Sequence, residues 1–250
     1  MHSDRPEYIT DKITLFLSGE HPCSYLPGKF SQEIYAQPLT QFDNHIYSQL
    51  IYSGFRRSGE LVYRPHCKFC SSCIPVRIPV HEFKPTRPQN RALKKNADIV
   101  TTSCAPVFNS EQFALYEKYV NLRHPQGGMD NPEPREYMEM LTCHWTETEF
   151  IEFRVGQRLV AVAVMDRLED GYSAVYTYFD PDEDKRSLGT YAILWQIAET
   201  ARLGLDYLYL GYLIKECRKM SYKQRFHPIE QFVNNRWQSL PPPGAAQTSS

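Results

Sequence analysis

The second half of the chain contains three strand-length apolar segments in succession, at residues 150–155, 159–166 and 172–179. Two short turns separate them, GQ at 156–157 and EDG at 169–171, and glycine supplies the backbone freedom that tight hairpin turns require. Strands joined by such turns pair as antiparallel neighbours. This antiparallel meander is the feature that most constrains the fold.

Helical segments surround the meander. Apolar spacing predicts one helix at about 110–123, with Ser110 as its N-terminal cap, and a second at about 134–142. A third helix starts at Ser187 and ends before Gly204, and a strand at 207–210 follows it. This order of elements predicts an α+β fold in which an antiparallel-rich mixed sheet is flanked by helices.

The first 80 residues are rich in turn signals and contain most of the cysteines. A short helix is predicted at 41–51. Alternation over 74–80 predicts a strand, and Pro75 and Pro79 place it at a sheet edge because proline has no N–H to donate. We therefore divide the chain into a cysteine-containing N-terminal region, residues 1–80, a larger domain, residues 81–238, and a disordered tail, residues 239–250.

Three cysteines cluster by spacing. Cys67, Cys70 and Cys73 form two overlapping C-x-x-C steps, a spacing that recurs in zinc and iron–sulfur sites. A fourth ligand is needed, and Cys23 or His66 is available. The alternative is a set of reduced thiols packed beside the sheet, which a reducing compartment permits.

Composition points to a reducing, water-filled compartment. The chain has 7 cysteines, an odd number, and no apolar run long enough to span a bilayer, so we expect a cytoplasmic protein without a membrane partner. The formal net charge is only −1, but basic residues concentrate at 84–95 and 215–225 and acidic residues at 130–152. This segregation favours a surface that faces a polyanion, or it marks ordinary solvated helix faces.

The order of elements in the larger domain is similar to that of the GNAT acyltransferases. In that fold, N–H groups at a helix N-terminus hold a phosphate. The segment RSLGT at residues 186–190 occupies the corresponding place, although it has a single glycine. The alternative is a helix start at which Gly189 allows close packing.

Several separate motifs resemble the aminoacyl-tRNA–protein transferases of the N-degron pathway. They are CSYLPG at 23–28, the cysteine run at 67–77, QNR at 89–91, residues 176–181 and 187–191, YLGYLIKECRKMSYK at 209–223 and FHPIE at 226–230. The short chain and the opening CSYLP resemble the bacterial branch, the aspartate/glutamate leucyltransferases. The arginyltransferase branch usually has a second cysteine where this chain has Leu26.

The resemblance implies an enzyme that transfers leucine from leucyl-tRNA to the α-amine of proteins beginning with Asp or Glu, marking them for degradation. It implies a GNAT-like aminoacyl-transfer domain at 81–238 and no cofactor that is required for transfer, with a possible zinc ion or iron–sulfur cluster at Cys23, Cys67, Cys70 and Cys73. The alternatives are an arginyl-tRNA–protein transferase, a GNAT N-acetyltransferase and a zinc-stabilised RNA-binding protein without catalysis.

Site residues are matched to the demands of this reaction. The acceptor amine must lose a proton, and the candidate bases are Asp180, Glu216 and His124. The acidic side chain of the acceptor needs a cation, for which Arg77, Arg123 and Arg218 are the candidates. Contacts to the tRNA end are expected from Arg186, Ser187, Gly189, Thr190, Lys215, Lys219 and Lys223, with Tyr212 as a stacking face for a terminal base.

Overall fold

The computed structural model describes residues 13–38, 42–123 and 131–241. Its first part contains a four-stranded antiparallel sheet and a small hairpin. The strands are β1 (Ile13–Leu17), β2 (His21–Pro22), β3 (Phe30–Ser31), β4 (Glu33–Pro38), β5 (Arg56–Ser58) and β6 (Leu61–Pro65). The four-stranded sheet has the order β1-β4-β6-β5, and β2 pairs with β3.

A larger sheet of eight strands forms the centre of the protein. Its strands are β7 (Ile74–Pro79), β8 (Ile99–Cys104), β9 (Thr148–Val155), β10 (Arg158–Arg167), β11 (Gly171–Phe179), β12 (Tyr207–Leu213), β13 (Glu230–Val233) and β14 (Arg236–Ser239). They lie in the order β14-β13-β7-β12-β11-β10-β9-β8. Every neighbouring pair is antiparallel except β11 and β12, which run parallel.

Helices cover both sheets. They are α1 (Asn44–Tyr52), α2 (Arg87–Lys95), α3 (Ser110–Arg123), α4 (Pro134–Leu141), α5 (Leu188–Arg202) and α6 (Arg218–Ser221), with 3₁₀ turns at Val80–Glu82, Pro181–Arg186 and Tyr222–Arg225. Local chemistry explains several starts: the Asp43 carboxylate accepts from the N–H of Ile46, and Thr86 with Gln89 forms a capping box on α2. No helix in these three described segments is long and apolar enough to cross a membrane.

Apolar side chains fill both faces of the large sheet. On one face, Phe153 and Leu208 pack with Ile193 and Ile197 of α5. Successive side chains of β10 point to opposite faces, so its Val162 packs instead with residues of α3 and α4. A further cluster joins α1 and the N-terminal sheet to the large sheet.

A buried ion pair also ties the two sheets together. The Arg57 side chain on β5 donates from Nε and Nη2 to the Asp166 carboxylate on β10, each at 2.6 Å, and both side chains have 0% exposed area. The same carboxylate accepts from Tyr47 at 2.7 Å and from Thr148 at 2.8 Å. Every carboxylate lone pair therefore has a partner, which a buried charge requires.

The meander and its helices agree with the sequence prediction. The three predicted strands are β9, β10 and β11, joined in antiparallel register. The helix from Ser187 is α5, and the strand predicted at 207–210 continues to Leu213 as β12. A mixed α+β fold with a mostly antiparallel sheet flanked by helices is thus confirmed. Of the predicted tail, Ser239 ends β14, and residues 242–250 lie outside the described part.

Two local predictions are wrong. The strand at 74–80 is not at an edge, because β7 lies between β13 and β12. Its pairing with β13 involves only Val76 and Arg77, so neither proline takes part in it. The cap of α3 is Asn109 and not Ser110: the Asn109 side-chain oxygen accepts from the N–H groups of Glu111 at 2.9 Å and Gln112 at 3.1 Å.

Candidate active site

The parallel strands β11 and β12 are paired over only part of their lengths. They pair only from Gly171 with Tyr207 to Ser173 with Tyr209. Beyond Ser173 and Tyr209 the two strands no longer pair with each other, and each continues beside its other neighbour, β12 beside β7 and β11 beside β10. The register shifts at Tyr209, and Gly211 adopts a φ of +70°, a bend that favours glycine. We call the space beside these unpaired ends the tyrosine cleft.

Tyrosines distant in sequence gather near Arg56. Those within electrostatic range of its guanidinium include Tyr25, Tyr63, Tyr176, Tyr212 and Tyr222, and Tyr119 neighbours two of these. Burial raises the pKa of Tyr25, Tyr176 and Tyr212, and the nearby Arg56 guanidinium opposes each rise. The Tyr212 hydroxyl donates to the carbonyl of Tyr63 at 3.2 Å and is buried. The rings therefore form an amphipathic wall around one cation.

Arg56 on β5 is that cation. Its Cζ atom lies 5.7 Å from the ring centroid of Tyr212 and 6.0 Å from that of Tyr63, within cation–π range. Its pKa is raised, chiefly by Tyr63 against the opposing effect of burial. Within the described segments, no hydrogen bond or ion pair joins its guanidinium to another side chain. Sequence analysis missed Arg56, since nothing local separates it from Arg57.

Lys223 is the second cation of the cleft wall. The sequence places it on an exposed tRNA track, but its side chain is buried, with 4% exposure. The Nζ atom donates to the carbonyl oxygen of Tyr212 at 2.5 Å. Burial, with a smaller contribution from Arg56, lowers the pKa of Lys223 to about 7. A lysine with such a pKa is partly neutral near pH 7 and can accept a proton.

Arg77, a predicted carboxylate-binding residue, already has a carboxylate partner. Its Nε donates to Glu230 at 2.7 Å and its Nη1 to the Tyr209 hydroxyl at 3.2 Å. Its Cζ lies 3.5 Å from the ring centroid of Tyr207 and 4.5 Å from that of Trp237. This packing favours a structural role that joins β7, β12, β13 and β14.

Asp180 stands at the end of β11 in a cluster of opposite charges. Its carboxylate accepts from Lys118 at 2.6 Å and from Arg158 at 3.3 Å. Although burial acts in the other direction, these partners hold the pKa of Asp180 below its ordinary value. A carboxylate held in this way is a weak proton acceptor, so the geometry favours an ion pair over a general base.

Residues of the loop before α5 and of its first turn also contact other parts of the protein. Arg186 forms a two-point ion pair with Asp98, at 2.8 and 2.9 Å. Ser187 adopts a left-handed φ of +57° at the start of α5, and its carbonyl accepts from the N–H of Thr190. A Cβ at Gly189 would lie 3.0 Å from the Phe179 ring, so close helix–strand packing explains this glycine.

The remaining predicted residues are exposed or lie outside the described segments. Exposed side chains include Arg123, which lies over the Phe179 ring at 5.3 Å, and Lys215, Glu216, Arg218 and Lys219. His124 lies outside the described residues. Glu216 is an exposed carboxylate near Cys70.

The four motif cysteines occupy one region beside the N-terminal sheet. Cys73 is the most enclosed: burial, and then the neighbouring Cys67, Cys23 and Cys70, raise its pKa to about 12. The Cys67 sulfur points to the Gln32 carbonyl at 3.8 Å. Among residues 13–38, 42–123 and 131–241, no three His, Cys, Asp or Glu side chains stand in an arrangement that could hold a metal ion.

Comparison with known proteins covers most of the chain. Two family models match in succession: the arginine-tRNA-protein transferase N terminus at residues 21–91 and the arginine-tRNA-protein transferase C terminus at residues 111–233. An aspartate/glutamate leucyltransferase from Nitrosococcus oceani is 50% identical over 226 residues, covering 90% of this chain and 95% of the relative. The aspartate/glutamate leucyltransferase from Pseudomonas savastanoi pv. phaseolicola is 48% identical over 229 residues, covering 92% and 97%.

Similarity to solved structures is weaker. The C-terminal domain of a lysylphosphatidylglycerol synthetase from Agrobacterium fabrum aligns with a TM-score of 0.48 at 12% identity, covering 80% of this chain and 64% of that chain. This similarity is too low to assign a fold.

Proposed function

The chain belongs to the arginine-tRNA-protein transferase family, and we propose that it transfers leucine from leucyl-tRNA to the N-terminal α-amine of proteins that begin with Asp or Glu. The observation that carries this proposal is the match of both family models together with 48–50% identity to aspartate/glutamate leucyltransferases along nearly their whole length. The added leucine would mark the acceptor for degradation. A charged tRNA as donor implies a cytoplasmic site of action.

The chemistry requires positioning more than covalent participation by the enzyme. The ester of leucyl-tRNA is already activated and the attacking nucleophile is the acceptor's own amine, so no acyl-enzyme is needed. We propose a GNAT-like arrangement in which the aminoacyl end enters where the pairing of β11 and β12 ends. The short parallel pairing and the bend at Gly211 support this placement, because they leave the ends of two strands unpaired with each other.

The α-ammonium of the acceptor must lose a proton before it attacks, and we assign that step to Lys223. An α-amine has a pKa near 8 in solution, so a base with a pKa of about 7 is well matched to it. Lys223 lies in the cleft wall, beside Tyr212 and close to Arg56. The partners of Asp180 make that carboxylate a weaker candidate.

The tRNA end requires phosphate contacts from exposed cations. Lys215 and Arg218 follow β12 directly and are exposed, so we propose that they contact the acceptor end of the tRNA, with Lys219 in the same segment. Arg186 is bound to Asp98, and Gly189 packs against Phe179. Residues 186–190 therefore contribute mainly by holding the start of α5.

The donor and acceptor assignment is tested by direct transfer. We expect labelled leucine to pass from leucyl-tRNA to peptides beginning with Asp or Glu, and not to matched peptides beginning with Lys or Ala. Arginyl-tRNA is expected to be a poorer donor. Arginine transfer in excess of leucine transfer would assign the chain to the arginyl branch. A protein that binds tRNA in a filter assay without any transfer would support the non-catalytic alternative.

We also propose that a zinc ion or an iron–sulfur cluster binds at Cys23, Cys67, Cys70 and Cys73. Thiolate sulfur suits zinc and iron–sulfur clusters. Burial, and then the neighbouring cysteines, raise the pKa of Cys73, and a bound cation would favour its thiolate. We expect protein purified without oxygen to contain about one zinc ion, or the iron and sulfide of one cluster, per chain. Elemental analysis measures this, with a Cys73→Ser variant as the control. A metal content equal to that of the control would contradict the proposal.

A further inference from the structure

We propose that Arg56 recognises the acidic side chain of the acceptor protein and thereby determines its specificity for Asp and Glu. The inference rests on the proposed transfer reaction and adds the residue that recognises the first side chain of the acceptor protein. It follows from three observations: a half-buried guanidinium without an anionic partner among the residues that the structure describes, its aromatic surroundings, and its place beside β12.

The first observation is that Arg56 has neither an ion pair nor a hydrogen bond in the described part of the chain. Arg57 and Arg77 pair with carboxylates. Arg64 and Arg167 lack a carboxylate partner too, but each donates a hydrogen bond, to the Ser53 carbonyl and to the Tyr172 hydroxyl respectively. In the described part of the chain, no carboxylate lies within ion-pair distance of Arg56. Enclosing a charge without a counter-ion is unfavourable, and an incoming carboxylate would offset that penalty.

The second observation concerns the space around the guanidinium. The Tyr63 and Tyr212 rings lie 6.0 and 5.7 Å from its Cζ atom and supply no formal negative charge. On β12, a Cβ at Gly211 would be 3.6 Å from Nη1, in van der Waals contact, so glycine leaves that contact position unfilled. A guanidinium presents paired N–H groups that match the two oxygens of a carboxylate.

The third observation is that Arg56 and Lys223 approach the same residue. Arg56 faces the ring of Tyr212, and Lys223 binds its carbonyl oxygen. An N-terminal Asp or Glu carries a carboxylate and an α-ammonium within one residue. Binding of the carboxylate at Arg56 would therefore place the reacting amine in the neighbourhood of Tyr212, the residue that Lys223 also contacts.

A tRNA phosphate is the other anion present in the reaction. Arg56 is half-buried between tyrosine rings, whereas a phosphodiester backbone needs a continuous exposed track of cations. Lys215 and Arg218 are exposed and suit that track better. We therefore assign Arg56 to the acceptor.

The experiment compares Arg56→Gln with Arg167→Gln. Arg167 is a matched control, because it is half-buried, lies 5.8 Å from the Tyr172 ring centroid and is remote from the cleft. Peptides that differ only in Glu or Gln at the first position are titrated against each protein by calorimetry, and then used as acceptors. We expect wild type and Arg167→Gln to favour the Glu peptide about 10²-fold and Arg56→Gln to lose this preference, with unchanged tRNA binding.

Each outcome separates the two proposals. Equal affinity of wild type for the Glu and Gln peptides, or an unchanged preference in Arg56→Gln, would overturn the role of Arg56. A weakening of tRNA binding in Arg56→Gln at constant peptide preference would assign Arg56 to phosphate. Peptide discrimination that depends on Arg56 but is accompanied by no leucine transfer would leave this inference standing and reject the proposed function. If Arg56→Gln does not fold, Arg56→Lys keeps the charge and is expected to show an intermediate preference.

Discussion

Replacing Lys223 with methionine is expected to slow single-turnover leucyl transfer about 10²- to 10⁴-fold, the range associated with loss of a general base. Methionine preserves the length of the buried chain but has no lone pair for the α-ammonium proton. Lys223→Arg is the companion variant, since it retains a donor for the Tyr212 carbonyl but stays protonated. Both variants are expected to be slow, whereas a purely structural role would spare Lys223→Arg.

Lys223→Met is also expected to raise the melting temperature of the protein. Because burial lowers the pKa of Lys223 to about 7, the unfolded chain binds one proton more than the folded chain between that pH and about 10.5. Stability therefore increases as the pH rises through this window, and it is lowest below it, where the folded protein must enclose an ammonium. The gain in Lys223→Met should thus be largest near about pH 6 and shrink towards about pH 9.

These two measurements together identify the base. In wild type, transfer at saturating substrates should fall as the pH drops below the pKa of Lys223, and this dependence should disappear in Lys223→Met. A variant that is more stable and transfers at the wild-type rate would contradict the assignment. The base would then have to be sought among the other candidates, including His124.

Replacing Asp166 with alanine is expected to lower the free energy of unfolding by about 3–5 kcal/mol, the cost of leaving a buried partner uncompensated. The change would strand the Arg57 guanidinium, which is fully buried, and remove an acceptor from Tyr47 and Thr148. Urea denaturation of wild type, Asp166→Ala and Arg57→Met/Asp166→Leu measures the effect. The double variant is expected to be closer to wild type, because it removes both charges.

This ion pair also bears on function. The ion pair between Arg57 and Asp166 joins β5 to β10 across the interface between the sheets. Arg56 is the residue before Arg57 on β5. Loss of the pair should therefore loosen the strand that presents Arg56 to the tyrosine cleft. We expect the preference for Glu over Gln acceptors to decline in Asp166→Ala at temperatures where the protein is still folded. A destabilised variant that retains full preference would show that β5 is held by other contacts.

Elements with strong local patterns were predictable from sequence. The apolar runs of β9, β10 and β11, their short turns and the apolar stripe of α5 depend on neighbours within a few residues, so the chain itself encodes them. The position of β7 inside the sheet was not predictable in this way. Pro75 and Pro79 disfavour a central strand because they cannot donate to a neighbouring strand. The sequence does not show that β13 pairs with β7 only at Val76 and Arg77, between the two prolines.

The site residues show the same difference between what the sequence predicts and what depends on tertiary contacts. The sequence alone determined the family, through several motifs in order, and with it the chemistry of an activated ester and an amine. Only the tertiary structure decided which cations are available for that chemistry. Arg56 and Arg57 are adjacent, yet Arg57 pairs with Asp166 and Arg56 does not. Lys223 is buried, although basic residues close to it in sequence are exposed. Burial and ion pairing depend on contacts between residues more than a hundred positions apart, which local patterns do not contain.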